Sequence, residues 1–131
     1  MQDRKMAIPS GTELARPFVP SKDFDVSKAF YESLGFLKVL DGAEVAIFGV
    51  GAGSEGAFIV QRYYQKDWAE NFMMQLMVDD LDAWWAHIAR LDLPAKFAVQ
   101  APKPPAMQPW GLRVAYVYDP AGVLWHIAQR T

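Results

Sequence analysis

The chain has 131 residues, of which 52% are hydrophobic and 21% charged, with a formal net charge of −2. That is one domain's worth of chain, long enough to bury a core without staples. With no cysteine, disulfides, thiolate metal sites and cysteine nucleophiles are excluded. The charge balance gives no basic footprint for nucleic acid, and Arg4-Lys5 is too short for a membrane patch. No apolar run approaches a membrane span, and the N-terminal stretch lacks the apolar segment of a signal peptide. The expected setting is the cytoplasm, with residues 1–12 a loose N-terminal tail.

In chain order, a strand is expected near 14–19, followed by a helix over DFDVSKAFYESLGF. There Val26, Ala29, Phe30 and Leu34 form one apolar stripe, with Asp23 placed to cap the start and Gly35 to stop the end. Strands follow near 36–40, 45–50, 57–63 and 71–78. A second helix is carried by DDLDAWWAHIARLDLPA, with Leu81, Trp84, Trp85, Ile88 and Leu91 on its apolar side and Asp79 or Asp80 as cap. Further strands are expected near 95–99, 112–118 and 123–129. Turn chemistry separates neighbours at GVGAGSEG and DPAG. The four-proline segment 99–111 reads as a long loop, because proline removes ladder donors from a central strand.

The order β-α-β-β-β thus occurs twice, and the helix starts Asp23-Phe24-Asp25 and Asp80-Leu81-Asp82 repeat one another. The fold class is α+β: two βαβββ modules, about 13–64 and 70–131, in one domain over 13–131. They form curved antiparallel or mixed sheets with helices on the convex face. The uncovered concave face is where function is expected.

Pairing Asp119 with Gly122 across the DPAG turn puts Ala115 opposite His126, with Arg113 and Val117 on that face and Tyr116 toward the helices. By the same alternation Phe18 joins Arg16, and Gln75 and Met77 join Met73. Arg16 in an apolar concavity needs an anionic partner, from a ligand or from the protein. His126 reads either as a hydrogen-bonded filler or as a cavity residue. His87, by its helix spacing, lies on the exposed side. Trp110 stands beside the strand leading to His126, as ligand wall and dimer filler. The acidic group Asp79-Asp80-Asp82 is a helix N-terminus stabilised by the macrodipole. GxSxG and P-loop patterns do not occur.

The segments FVPSKDFDVSKAFYESLGF, MVDDLDAWWAHI and PWGLRVAYVYDPAGVLWHI resemble the vicinal oxygen chelate superfamily, over roughly residues 13–129. That superfamily includes glyoxalases, dioxygenases and bleomycin resistance proteins. The spacing PWG-L-R-x(5)-DPAG-x(3)-H is most similar to the bleomycin resistance branch. The resemblance implies paired βαβββ modules and, in the enzymes, a divalent metal held by His, Gln or Glu side chains from four strands. Those positions fall here on Arg16, Gln61 or a neighbour, Met73 and His126. A guanidinium offers no lone pair, and a thioether is a soft ligand unsuited to hard or borderline ions.

The expected function is therefore metal-free binding of a small molecule, with no cofactor, in the cavity of a homodimer. Resistance of this kind is sequestration, without bond chemistry. The expected lining is Arg16, Phe18, Gln61, Met73, Gln75, Trp110, Arg113 and His126, suited to a planar or partly anionic organic molecule. Bleomycin itself is cationic and its binders in the family are acidic, which fits poorly with a net charge of only −2 and with Arg16. The alternative is a metal-dependent glyoxalase-like lyase or dioxygenase holding one divalent ion, through a set such as Glu13, Gln61, Gln75 and His126, with Glu70 a further candidate. A dimerisation module without a ligand is the third reading.

Overall fold

A computed structural model describes residues 7–51 and 55–131. The first module contains β1 (Phe18–Pro20), α1 (Phe24–Ser33), β2 (Leu37–Asp41), β3 (Val45–Gly49) and β4 (Phe58–Gln61). A short helix, α2 (Lys66–Asn71), leads to β5 (Met73–Met77), α3 (Leu81–Leu91), α4 (Leu93–Phe97), β6 (Lys103–Met107), β7 (Leu112–Tyr118) and β8 (Leu124–Arg130). Each module builds a four-stranded mixed sheet, in the orders β1-β4-β3-β2 and β5-β8-β7-β6. In both, the strand before the long helix pairs parallel with the last strand of the module, Phe18 against Ile59 and Met73 against Leu124.

The helix boundaries follow local chemistry. Asp23 accepts from the Val26 amide and Asp80 from the Ala83 amide, satisfying N–H groups that the first turn leaves without partners. Gly35 follows α1 at φ +99, a conformation that costs glycine little. The buried side of α1 is Phe24, Ser27, Phe30 and Tyr31 with Leu34 behind. Ala29 is exposed, so the expected stripe is rotated toward Tyr31. On α3, Leu81 and Ile88 are buried, with the two tryptophans and Leu91 packed against them.

Both sheets turn their helix-bearing faces into one core. Phe48, Phe58 and Val60 come from the first, and Ala115, Val117, Trp125 and Ile127 from the second. Tyr31 lies between the modules, its ring 4.9 Å from Phe58 and 5.6 Å from Trp125. Burying such aromatics dominates core energetics, and edge-on or tilted pairs add roughly 0.5–1.5 kcal/mol each beyond area burial. Because the core is shared, the other face of each sheet is turned away from it. The residues expected to line a cavity lie mostly on these open faces.

Three local expectations are corrected. Residues 95–99 are not a strand: Leu93–Phe97 is a helical turn between Asp92 and Ala98, both left-handed at φ 50 and 54. The missing strand is β6, inside the proline segment expected to be a loop. It is an edge strand, and its irregular pairing between Lys103 and Ala106 leaves Pro104 and Pro105 at the break, where no ladder donor is needed. The first strand is shorter than 14–19, beginning only at Phe18.

Candidate functional site

The β7–β8 register decides which side chains reach the second open face. Tyr116 pairs with His126, Ala115 with Ile127 and Arg113 with Gln129. The turn is one residue longer than the Asp119–Gly122 pairing assumed: the Asp119 amide donates to the Val123 carbonyl, and Asp119 Oδ1 accepts from the Ala121 and Val123 amides. A one-residue slip moves every side chain to the other face. Tyr116 therefore lies on the open face, whereas Ala115 and Val117 are in the core. Arg113 is on the helix side, donating to Asp82 of α3 at 2.7 Å. It is not a lining residue.

The second open face gathers Met73, Lys103, Tyr116, Tyr118, Leu124 and His126 around a cavity of about 390 Å³. His126 Nε2 is 3.4 Å from Met73 Sδ, and its ring meets Tyr116 edge-on with centroids 4.9 Å apart. Trp110, 57% exposed, stands over the same histidine at 6.4 Å. Gln75 pairs with His126 across β5 and β8, which places it on this face too. Partial burial holds the His126 pKa below the usual histidine value, favouring the neutral ring near neutral pH. A neutral imidazole among tyrosines, an indole and a thioether is a surface for a flat organic molecule.

The remaining expected residues occupy the first sheet's open face. Phe18 and Gln61 share it by register with Ile59 and Val45. Among the described residues Arg16 has no acidic partner, and its guanidinium is engaged: Nε and Nη2 donate to the carbonyls of Gly56 and Glu55 at 3.2 and 3.0 Å. A single chain thus brings Met73, Gln75, Trp110 and His126 together and keeps Arg16, Phe18 and Gln61 apart from them. Lys103, Tyr116, Tyr118 and Leu124 were not expected at the site. Reading Asp119 as a carboxylate that folds its own turn, and so lengthens it, finds Tyr116 and Tyr118; Leu124 shares the His126 face in either register, and Lys103 lies on the strand inside the proline segment.

The donor set at the superfamily's metal positions does not fit a divalent ion. Arg16 is committed to carbonyls and Met73 is a soft ligand, which leaves the His126 imidazole on the second sheet and the Gln61 amide on the first. Among the described residues, no group of three or more His, Asp or Glu side chains is placed to hold a metal. His87 is no candidate either. It is half-buried rather than exposed, with Nε2 2.8 Å from the Leu34 carbonyl, tying α3 to the end of α1. Gly51, Gly53 and Gly56 have GxGxxG spacing, but the element that follows is strand β4, antiparallel to β3, and not a helix whose N-terminus could receive a phosphate. Among the described residues, no helix is long and apolar enough to cross a membrane.

Paired βαβββ modules, each a four-stranded mixed sheet with one long helix, define a fold of the glyoxalase type. Residues 13–127 match the Glyoxalase/Bleomycin resistance protein/Dioxygenase superfamily, and the chain belongs to it. It is 31% identical over 132 residues to a bleomycin resistance protein of Klebsiella pneumoniae, covering 90% of this chain and 93% of that protein. Among solved structures it is similar to a bleomycin-binding protein complexed with bleomycin, at TM-score 0.75 and 28% identity, over 92% of this chain and 100% of that one. The bleomycin-binding protein of Streptomyces verticillus, complexed with copper(II)-bleomycin, gives TM-score 0.74 and 25% identity, over 94% and 100%.

Proposed function

We propose that this chain binds and sequesters an antibiotic-like organic molecule, planar or partly anionic, in the cavities of a homodimer in the cytoplasm, without a metal cofactor. The observation that carries the reading is the pairing of Met73 with His126 at the floor of an aromatic-lined cavity, where an enzyme of the superfamily would hold its ion. Relatives named for binding or resisting bleomycin support an antibiotic as the ligand type.

The dimer is supported by the two open faces. Phe18, Leu37 and Leu40 on the first are 47, 66 and 46% exposed, and Met73 on the second is 61% exposed. Such apolar sheet faces are costly to leave in water, and a second copy would cover one face with the other. Arg16, Phe18 and Gln61 of one protomer would then complete a cavity built on Met73, Tyr116 and His126 of its partner.

The test is metal retention together with mass. Purified protein is incubated with excess Zn²⁺, Ni²⁺, Mn²⁺ and Fe²⁺, desalted, analysed for metal, and weighed by light scattering. A dimer with no stoichiometric metal is expected. One metal per chain, lost on His126→Ala, would overturn the binding reading and direct work to lyase and dioxygenase substrates.

A further inference from the structure

The acidic residues of this chain outnumber the basic ones, 15 to 13, yet among the described residues they avoid the open-face strand positions of both sheets. On the second sheet, the open-face positions set by register include Met73, Gln75 and Met77 on β5, and Leu124, His126 and Ala128 on β8. Lys103 pairs with Tyr116, and Arg130 with Leu112, so both cations belong to this face. On the first sheet, open-face positions are Phe18, Pro20, Ile59, Gln61, Val45 and Ile47, with Leu37 and Leu40 at the edge. Among the described residues, no aspartate or glutamate occupies an open-face strand position on either sheet.

The acids lie elsewhere and many are spoken for. Asp25 and Asp41 pair with Lys28, and Glu32 and Asp41 with Lys38, on the α1 side of the first sheet. Glu44 pairs with Arg62, Asp82 with Arg113, and Asp119 is buried. Lys103, in contrast, reaches the cavity wall and makes no ion pair among the described residues.

We infer that this cavity selects anionic aromatic molecules over cationic ones, and that Lys103 is the residue that reads the charge, with Arg130 farther along the same face. The inference rests on the binding reading above. An incoming carboxylate, sulfonate or phenolate gains a partner at Lys103 while its ring lies against Tyr116, Tyr118 and His126. An incoming ammonium meets a lysine and no carboxylate to neutralise either charge, so repulsion does the discriminating. His126 adds to the preference in the tautomer that carries its proton on Nε2: that N–H faces the Met73 sulfur, a weak acceptor that a ligand anion readily replaces.

The experiment uses three probes with one ring system: 2-naphthoate, 2-naphthylmethylammonium and 2-naphthalenemethanol, titrated calorimetrically into the full chain at low and high salt. The expected result is at least tenfold tighter binding of the naphthoate than of the ammonium, with the ratio shrinking as salt rises. Lys103→Glu should abolish or reverse that ratio. Because the readout is a ratio within one protein preparation, loss of folded protein cancels. A ratio near one, or one that Lys103→Glu does not move, with the alcohol still bound, overturns the charge selection and leaves the cavity reading standing. No binding of any of the three overturns both.

Discussion

Tyr116 and His126 stand directly opposite one another on β7 and β8, with ring centroids 4.9 Å apart and planes at 80°. This cross-strand pair fixes the floor of the cavity, and the same register sends Arg113 to the opposite face. Tyr116→Ala and His126→Ala are each expected to weaken aromatic probe binding about 3- to 10-fold, the worth of one good aromatic contact. Arg113→Ala should leave affinity unchanged and cost roughly 0–1 kcal/mol through its part-exposed pair with Asp82. Calorimetric titration of the three variants checks both halves. Loss of affinity on Arg113→Ala alone would restore the other register.

The two long helices and the strands beside them were legible because they rest on strong local signals. Asp23, Asp80 and Gly35 punctuate the two long helices, and the strands between them are rich in β-branched and aromatic residues. The register of one hairpin was not, because it turns on a side chain: Asp119 binds two amides of its own turn and lengthens the loop by a residue. That single slip misplaced Arg113 and hid Tyr116. The β6 strand was concealed by Pro104 and Pro105, which argue correctly against a central strand but are tolerated at an edge. Of the residues expected to line one cavity, Met73, Gln75, Trp110 and His126 lie on one face. Arg16, Phe18 and Gln61 fell on the other sheet, since alternation within a strand does not say which sheets face one another.

The two modules are joined by a buried polar relay. Tyr31 on α1 donates to Asp119 Oδ2 at 2.5 Å, and Trp125 Nε1 donates to the Tyr31 hydroxyl at 3.1 Å. Removing the hydroxyl leaves a carboxylate oxygen and an indole N–H without partners in the core. Tyr31→Phe is therefore expected to cost about 2–4 kcal/mol, read as a shifted urea midpoint with an unchanged slope. A loss under 1 kcal/mol would show that water or repacking replaces the hydroxyl.

Asp119 also sets a pH signature. Burial, partly offset by the bond from Tyr31 and by the turn amides, raises its pKa from 3.8 to about 6. The folded state then binds more protons than the unfolded state between those values, so this group's contribution falls as pH rises from about 4 to 6 and is flat above. The full difference is on the order of 3 kcal/mol. Asp41, held below its usual range by Lys28 and then Lys38, acts in the opposite sense at low pH. The informative quantity is thus wild type minus Asp119→Asn, which should grow in favour of wild type on acidification from pH 6 to 4. A difference independent of pH would contradict a raised Asp119 pKa.

The most direct test of where this protein binds is amide chemical-shift mapping of the metal-stripped chain during titration with 2-naphthoate. A larger cleft, about 490 Å³, lies at the seam between Lys22, Tyr64, Glu70 and the Asp119–Gly122 turn, and offers a competing location. Saturable shifts centred on Met73, Lys103, Tyr116, Leu124 and His126 are expected. Shifts confined to the seam cleft, or binding that requires added divalent metal, would contradict it.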